Sequence, residues 1–201
     1  PTARFQVFTP WTINRQFDYP LFVKPVSEDA SIGISLNSVV HDDKALRRQV
    51  RYIWEMYHQP SLVEEFIQGR EFNVTVLGNE DPRVLPLSEI NFNRIANPFQ
   101  RIVSFRAKWV STSPEFIHTP PTCPAKLSPA LQVRIEEIAR RAYLAMGLHD
   151  YGRVDIRVKN GLPYVLEVNP NADLSPDAGI ARSSRKVKEV VKLLEQHHAR
   201  E

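Results

Sequence analysis

A single cysteine, Cys123, stands among the 201 residues, which excludes an internal disulfide and any cysteine-based metal cluster. No apolar run approaches the roughly 18 residues needed to cross a bilayer, and no signal peptide opens the chain. Charge of one sign is also scarce, with 26 Lys and Arg against 23 Asp and Glu. The excess sits in residues 181–201, where six basic residues meet three acidic ones, and the rest is balanced at twenty of each. A basic stripe interleaved with aromatics is therefore missing, which argues against a nucleic-acid partner. Together these absences point to a cytoplasmic protein with no membrane partner. An initiator methionine is missing too, since the chain starts at Pro1, and this points to a piece of a longer protein. Apolar residues make up 42% and charged residues 24%, enough to bury one substantial core or two small ones.

Residues 151–175 carry the densest chemistry. From Arg153 to Val158 charged and apolar residues alternate, with Val154, Ile156 and Val158 on one face and Arg153, Asp155 and Arg157 on the other, the pattern of a half-buried strand. Alternation returns from Tyr164 to Asn169, with Tyr164, Leu166 and Val168 apolar and Glu167 and Asn169 opposed to them. A two-residue Asn160-Gly161 turn would pair Asp155 with Leu166 and put the two carboxylates on opposite faces. A three-residue loop, Lys159-Asn160-Gly161, instead sets Asp155 opposite Val165 and Arg153 opposite Glu167, gathering Arg153, Asp155, Glu167 and Asn169 on one face. Two carboxylates and an amide oxygen suit magnesium, which commonly takes one or two carboxylates plus substrate phosphates. A solvated face with a cross-strand Arg153–Glu167 ion pair fits the same spacing, and spacing alone does not choose between them.

The run G-R-V-D-I-R, followed twelve residues after Asp155 by Glu167 in L-E-V-N-P-N, resembles the metal-binding end of the ATP-grasp enzymes, D-alanine:D-alanine ligases above all. The resemblance extends with gaps over about residues 19–180. It implies an α+β ATP-grasp fold, with a lead-in at 1–18 and a small lid subdomain at 19–83. A larger, mainly antiparallel sheet flanked by helices would follow at 84–201, with ATP clamped between lid and sheet. Asp155, Glu167 and Asn169 would hold two magnesium ions, with manganese as a substitute, and Arg153 would stabilise the oxyanion of a tetrahedral intermediate.

Other stretches fit the same resemblance. Residues 19–25 read as a strand bearing Lys24, followed by a loop over residues 26–33; by the resemblance Lys24 pairs with nucleotide phosphates, and Ser31 and Gly33 match a lid in which Asp29 and Ala30 depart from the usual Gly and Ser. Leu46, Val50, Ile53, Trp54 and Tyr57 recur at helical steps after Asp42 or Asp43 as N-cap. Strands are expected at 61–67 and 71–77, where the resemblance places Glu64 near the adenine amino group, the backbone of Glu65 and Ile67 on the base edge and Glu71 on the ribose hydroxyls. Read without the resemblance, the two are an exposed acidic hairpin. Residues 84–92 read as a further strand containing Glu89, and 93–113 as irregular; there F-R-A-K-W offers Lys108 to the γ-phosphate, with Arg106 and Trp109 departing from the family's acid and tyrosine. Five prolines make 114–129 an extended connection. A helix then runs from Ser128-Pro129 to Gly147 with a stripe of Leu131, Ile135, Ile138, Ala142 and Met146, and another is expected at 183–198. In residues 169–178, Asp173 and Ala178 depart from the D-alanine pattern. The activity implied is carboxylate–amine ligation through an acyl phosphate, with an amino-acid substrate other than D-alanine. A missing N-terminal domain would supply the rest of the substrate site, and a nucleotide-binding module without catalysis is the alternative.

Overall fold

The computed structural model describes residues 1–174 and Ser183. The helix expected at 183–198 and the departure at Ala178 lie outside the described residues. The chain folds as two compact units, and it passes between them more than once.

The first unit comprises Ala3–Gln68 and Phe92–Pro120. Strands β1 (Phe5–Phe8), β2 (Leu21–Pro25), β3 (Val39–Val40) and β4 (Ser61–Glu65) form an antiparallel sheet in the order β1-β4-β2-β3. Helix α1 (Asp43–Tyr57) begins as the sequence predicts, with the Asp42 side chain accepting from the Ala45 N–H, and ends at His58 in the left-handed region (φ 53°). Its Leu46, Val50 and Ile53, all fully buried, pack on Leu21, Val23 and Val63 of the sheet, so the periodic stripe is core. Residues 1–18 are more than a lead-in: β1 pairs with β4 along its whole length. Two single-turn helices, α2 (Phe105–Trp109) and α3 (Pro114–Ile117), replace the irregular and extended segments expected there. Ser104 and Ser113 cap them, and Pro114 occupies the first turn of α3, where its missing N–H costs nothing.

The second unit comprises Pro1–Thr2, Gly69–Asn91 and the described residues from Pro121 onward. Its strands are β5 (Arg70–Leu77), β6 (Arg83–Val84), β7 (Ser88–Ile90), β8 (Pro121–Thr122), β9 (Tyr151–Lys159) and β10 (Leu162–Asn169). They run in the order β10-β9-β5-β7-β8, with β6 paired to β5. The single strand expected at 84–92 is thus two short ones. Helix α4 (Pro129–Ala145), capped by Ser128, lays Ile135, Ala139 and Tyr143 on Phe72, Val74, Val76, Val154 and Ile156. Met146 is 65% exposed and drops out of the stripe, because α4 has already ended at Ala145 and Gly147 turns the chain with φ +64°.

One cut between residues 83 and 84 does not describe this arrangement, because β5 pairs with β9 rather than with β4. The acidic hairpin at 61–77 is likewise absent: β4 and β5 belong to different sheets. Close approach to β9 also explains Gly69, where any Cβ would collide with the Val158 carbonyl.

Candidate functional site

The polar face of the second unit's sheet follows from register. Phe72, Val74 and Val76 face the core, so Glu71, Asn73 and Thr75 point the other way. Pairing sets Glu71 against Arg157, Asn73 against Asp155 and Thr75 against Arg153. On the far side of β9, Tyr164 pairs with Arg157, Glu167 with Asp155 and Asn169 with Arg153. The face is therefore a lattice of polar rows across three strands.

The carboxylates meet, but not by the route parity suggested. The turn is the two-residue one, with Lys159 paired to Leu162 and with Asn160 and Gly161 both at positive φ (53° and 73°), the conformation two-residue hairpins favour. A bulge between Val165 and Glu167 takes up Leu166 as the extra residue. Val165 and Val168 then both pack on the core, and Glu167 returns to the face of Asp155. Asp155 thus faces Glu167, not Val165, and Arg153 faces Asn169, not Glu167.

Asp155 is buried and accepts from three directions: Asn73 Nδ2 reaches Oδ1 at 2.8 Å, Arg153 Nε reaches Oδ1 at 2.8 Å, and Arg153 Nη2 reaches Oδ2 at 2.9 Å. Burial alone would push its carboxyl pKa up; the Arg153 charge and the hydrogen bonds outweigh burial and hold it below the ordinary carboxylate value. Burial likewise opposes the charge of Arg153, and the neighbouring Asp155, Glu167 and Asp173 more than restore it. Glu167 is far more open, with its side chain 46% exposed, 3.7 Å from Arg153 Nη2, and its Oε1 accepts from Asn169 Nδ2 at 2.7 Å. Among the described residues no group of three His, Cys, Asp or Glu gathers to hold a metal. Two facing carboxylates with an adjacent amide are nevertheless the hard-oxygen set that magnesium takes when phosphates supply the remaining ligands. The residues fit that ion, on the condition that the Arg153 fork yields an oxygen of Asp155.

Glu71 shares the face and is bound to Arg157, a pair 86 residues apart in sequence. Asn73 and Arg157 are the residues that sequence reasoning left without a role. Alternation in E-F-N-V-T-V marks Asn73 as facing away from the core, but only the β5–β9 pairing brings it to Asp155.

The other predicted residues lie in the first unit. Lys24 on β2 and Glu64 on β4 form an ion pair of 2.8 Å, with side chains 19% and 11% exposed. The Glu65 carboxylate accepts from Arg4 at 2.7 Å, and its backbone N–H donates to the Arg4 carbonyl. Ile67 is buried just beyond β4. Ser31 sits in a turn where Ala30, Ser31 and Gly33 all have positive φ. Lys108 belongs to α2 rather than to a loop, and α2 is tied to that turn: Trp109 Nε1 donates to the Ala30 carbonyl at 2.9 Å and the Phe105 N–H to that of Ile34 at 2.9 Å. The departures at Ala30 and Trp109 are therefore partners of one another.

The family model described as D-ala D-ala ligase C-terminus matches residues 6–179. An uncharacterized protein, y4sG, of Sinorhizobium fredii is 35% identical over 87% of this chain and 50% of its own length. The D-alanine–D-alanine ligase of Carboxydothermus hydrogenoformans is 35% identical over 81% of this chain and 50% of its own. The chain spans about half the length of the curated relatives it matches. Among solved structures, the D-alanine–D-alanine ligase of Bacillus anthracis complexed with ATP superposes with a TM-score of 0.74 at 22% identity, over 99% of this chain and 60% of that one. The L-amino acid ligase of Bacillus licheniformis gives 0.64 at 24%, over 88% and 38%. The fold is the ATP-grasp fold.

Proposed function

Because this chain belongs to the D-ala D-ala ligase C-terminus family, we propose that it is the nucleotide- and metal-binding part of an ATP-dependent carboxylate–amine ligase. The observation that carries the reading is the cross-strand pairing of Asp155 with Glu167 beside Asn169. Asp155, Glu167 and Asn169 would hold magnesium, which when bound neutralises the phosphate charge. On the same face Glu71 would accept from the ribose hydroxyls, since a carboxylate is an acceptor-only group. Lys24, Ser31 and Lys108 would contact the phosphates. Glu64 would meet the adenine amino group, and the backbone at Glu65 and Ile67 the base edge.

In the reaction so read, a substrate carboxylate oxygen attacks the γ-phosphorus of ATP, the bond to the β-bridging oxygen breaks and ADP leaves. An amine nitrogen then attacks the acyl carbon, loses a proton, and phosphate departs. Arg153, released from Asp155, would stabilise the oxyanion formed between these events. Asp173 and the sequence position Ala178 depart from the D-alanine pattern, which favours a different amino acid as substrate. The relatives are about twice as long as the stretch matched here, and the further part of such a protein would supply the remaining substrate contacts.

The test is ADP and dipeptide release by the full-length protein over a panel of amino acids, with Glu167→Gln as control. Turnover with an amino acid other than D-alanine, abolished by the substitution, is expected. Nucleotide binding without turnover on any amino acid would favour a binding module, and turnover unaffected by Glu167→Gln would contradict the metal assignment. The 201-residue chain alone is expected to make no D-alanyl-D-alanine, since lost orientation can remove about 7–11 kcal/mol of catalysis.

A further inference from the structure

The Glu71 carboxylate is held by one oxygen. Arg157 Nε donates to Oε2 at 2.8 Å and Nη2 approaches the same Oε2 at 2.7 Å, with side chains only 5% (Arg157) and 10% (Glu71) exposed. The other oxygen, Oε1, accepts no hydrogen bond from any described residue. A guanidinium fork more often binds a carboxylate through both oxygens in parallel, as Arg70 does with Glu89 and Arg153 with Asp155. Here Nε and Nη2 both lie on Oε2, and Oε1 is left without a hydrogen bond from any described residue.

We propose that Arg157 is a positioning residue that fixes Glu71 so that its Oε1 is presented as a ready acceptor to the ribose hydroxyls of the nucleotide. The inference rests on the nucleotide reading above and adds to it a residue and a specificity, ribose over deoxyribose. Three features support it. A buried carboxylate needs a counter-charge, and the Arg157 guanidinium supplies it without covering the presented oxygen. Glutamate is flexible, and clamping it on folding removes an ordering cost that the ligand would otherwise meet on binding. Register places Glu71 two residues along β5 from Asn73, the partner of Asp155. Clamp and carboxylate pair therefore stand roughly 7 Å apart on one face, within reach of one nucleotide's ribose and phosphates.

The experiment compares the affinities of magnesium-ATP, magnesium-2′-deoxy-ATP and magnesium-3′-deoxy-ATP for this chain and for Arg157→Met and Arg157→Lys. The unaltered chain is expected to prefer ATP over at least one deoxynucleotide by about tenfold, the scale of a hydrogen bond to a charged group. Arg157→Met should lose most of that preference by weakening ATP far more than the deoxynucleotides, and Arg157→Lys should keep part of it. A uniform loss for all three nucleotides with the preference preserved would mean that Arg157 is only structural, and would overturn the proposal while leaving the nucleotide reading intact. Failure of the unaltered chain to bind any nucleotide would overturn both. Should Arg157→Met not fold, Arg157→Lys decides the point, because loss of the fork with the charge kept predicts a reduced preference for ATP, and an undiminished preference contradicts the proposal.

Discussion

Asp155 is a residue on which opposing effects meet. Its burial works against the charge that the proposed metal role requires, and Arg153 supplies what offsets it. With the folded-state pKa depressed, the stability Asp155 adds is complete above the ordinary carboxylate value of about 3.9 and is lost as pH falls through the depressed value. Arg153→Met reverses the sign. The carboxyl, buried without its cation, is expected to have a raised pKa and to cost about 3–5 kcal/mol at neutral pH, part of which returns as acidification protonates it. Urea denaturation of the two chains between about pH 7 and 4 checks this: the stability gap should narrow toward acid. A gap that is constant or widens would mean that the pair contributes little. At this scale the sequence was legible where chemistry is carried by type. Asp155, Glu167 and Asn169 announce themselves as oxygen donors, whereas Asn73 and Arg157 acquire meaning only from partners 82 and 86 residues away.

The hairpin β9–β10 shows how an element can reach the expected arrangement by an unexpected path. Parity demanded one extra residue between Asp155 and Glu167 and placed it in the loop. The structure keeps the favourable Asn-Gly turn and places the extra residue in the strand. A sequence signal for this exists: Val165 and Leu166 are consecutive apolar residues, and the core-facing pair Val165 and Val168 is spaced by three rather than two. Deleting Leu166 is therefore expected to convert the bulge into a regular ladder with Glu167 still opposite Asp155 and with magnesium-dependent ATP binding retained. Calorimetry on the deletion variant, with a circular dichroism spectrum to establish folding, is the check. A folded variant that no longer binds would mean that the bulge's local twist, and not only its parity, is needed. Helices α1 and α4 were readable almost to the residue because stripe and cap agree. The short α2 and α3 were not, since one turn offers no period and their capping serines resemble those of any loop.

For the molecule as a whole, the fold class was legible because ordered motifs recur across most of the chain, while the division into units was not. Alternation tells which residues lie in strands but not which strands pair, and β5 pairs with β9, Asn73 meeting Asp155 82 residues on, instead of with its neighbour β4. That pairing builds the face on which Glu71, Asn73, Asp155, Arg157 and Glu167 converge. The proposed magnesium-nucleotide binding on this face is checked by titration calorimetry of ATP against the chain, with magnesium and with EDTA, for the unaltered protein and for Glu167→Gln. Binding that requires magnesium and is lost or weakened at least about tenfold in a folded Glu167→Gln chain, as expected for removal of a charged ligand, is the predicted result. Magnesium-dependent ATP affinity that the substitution leaves unchanged would contradict it.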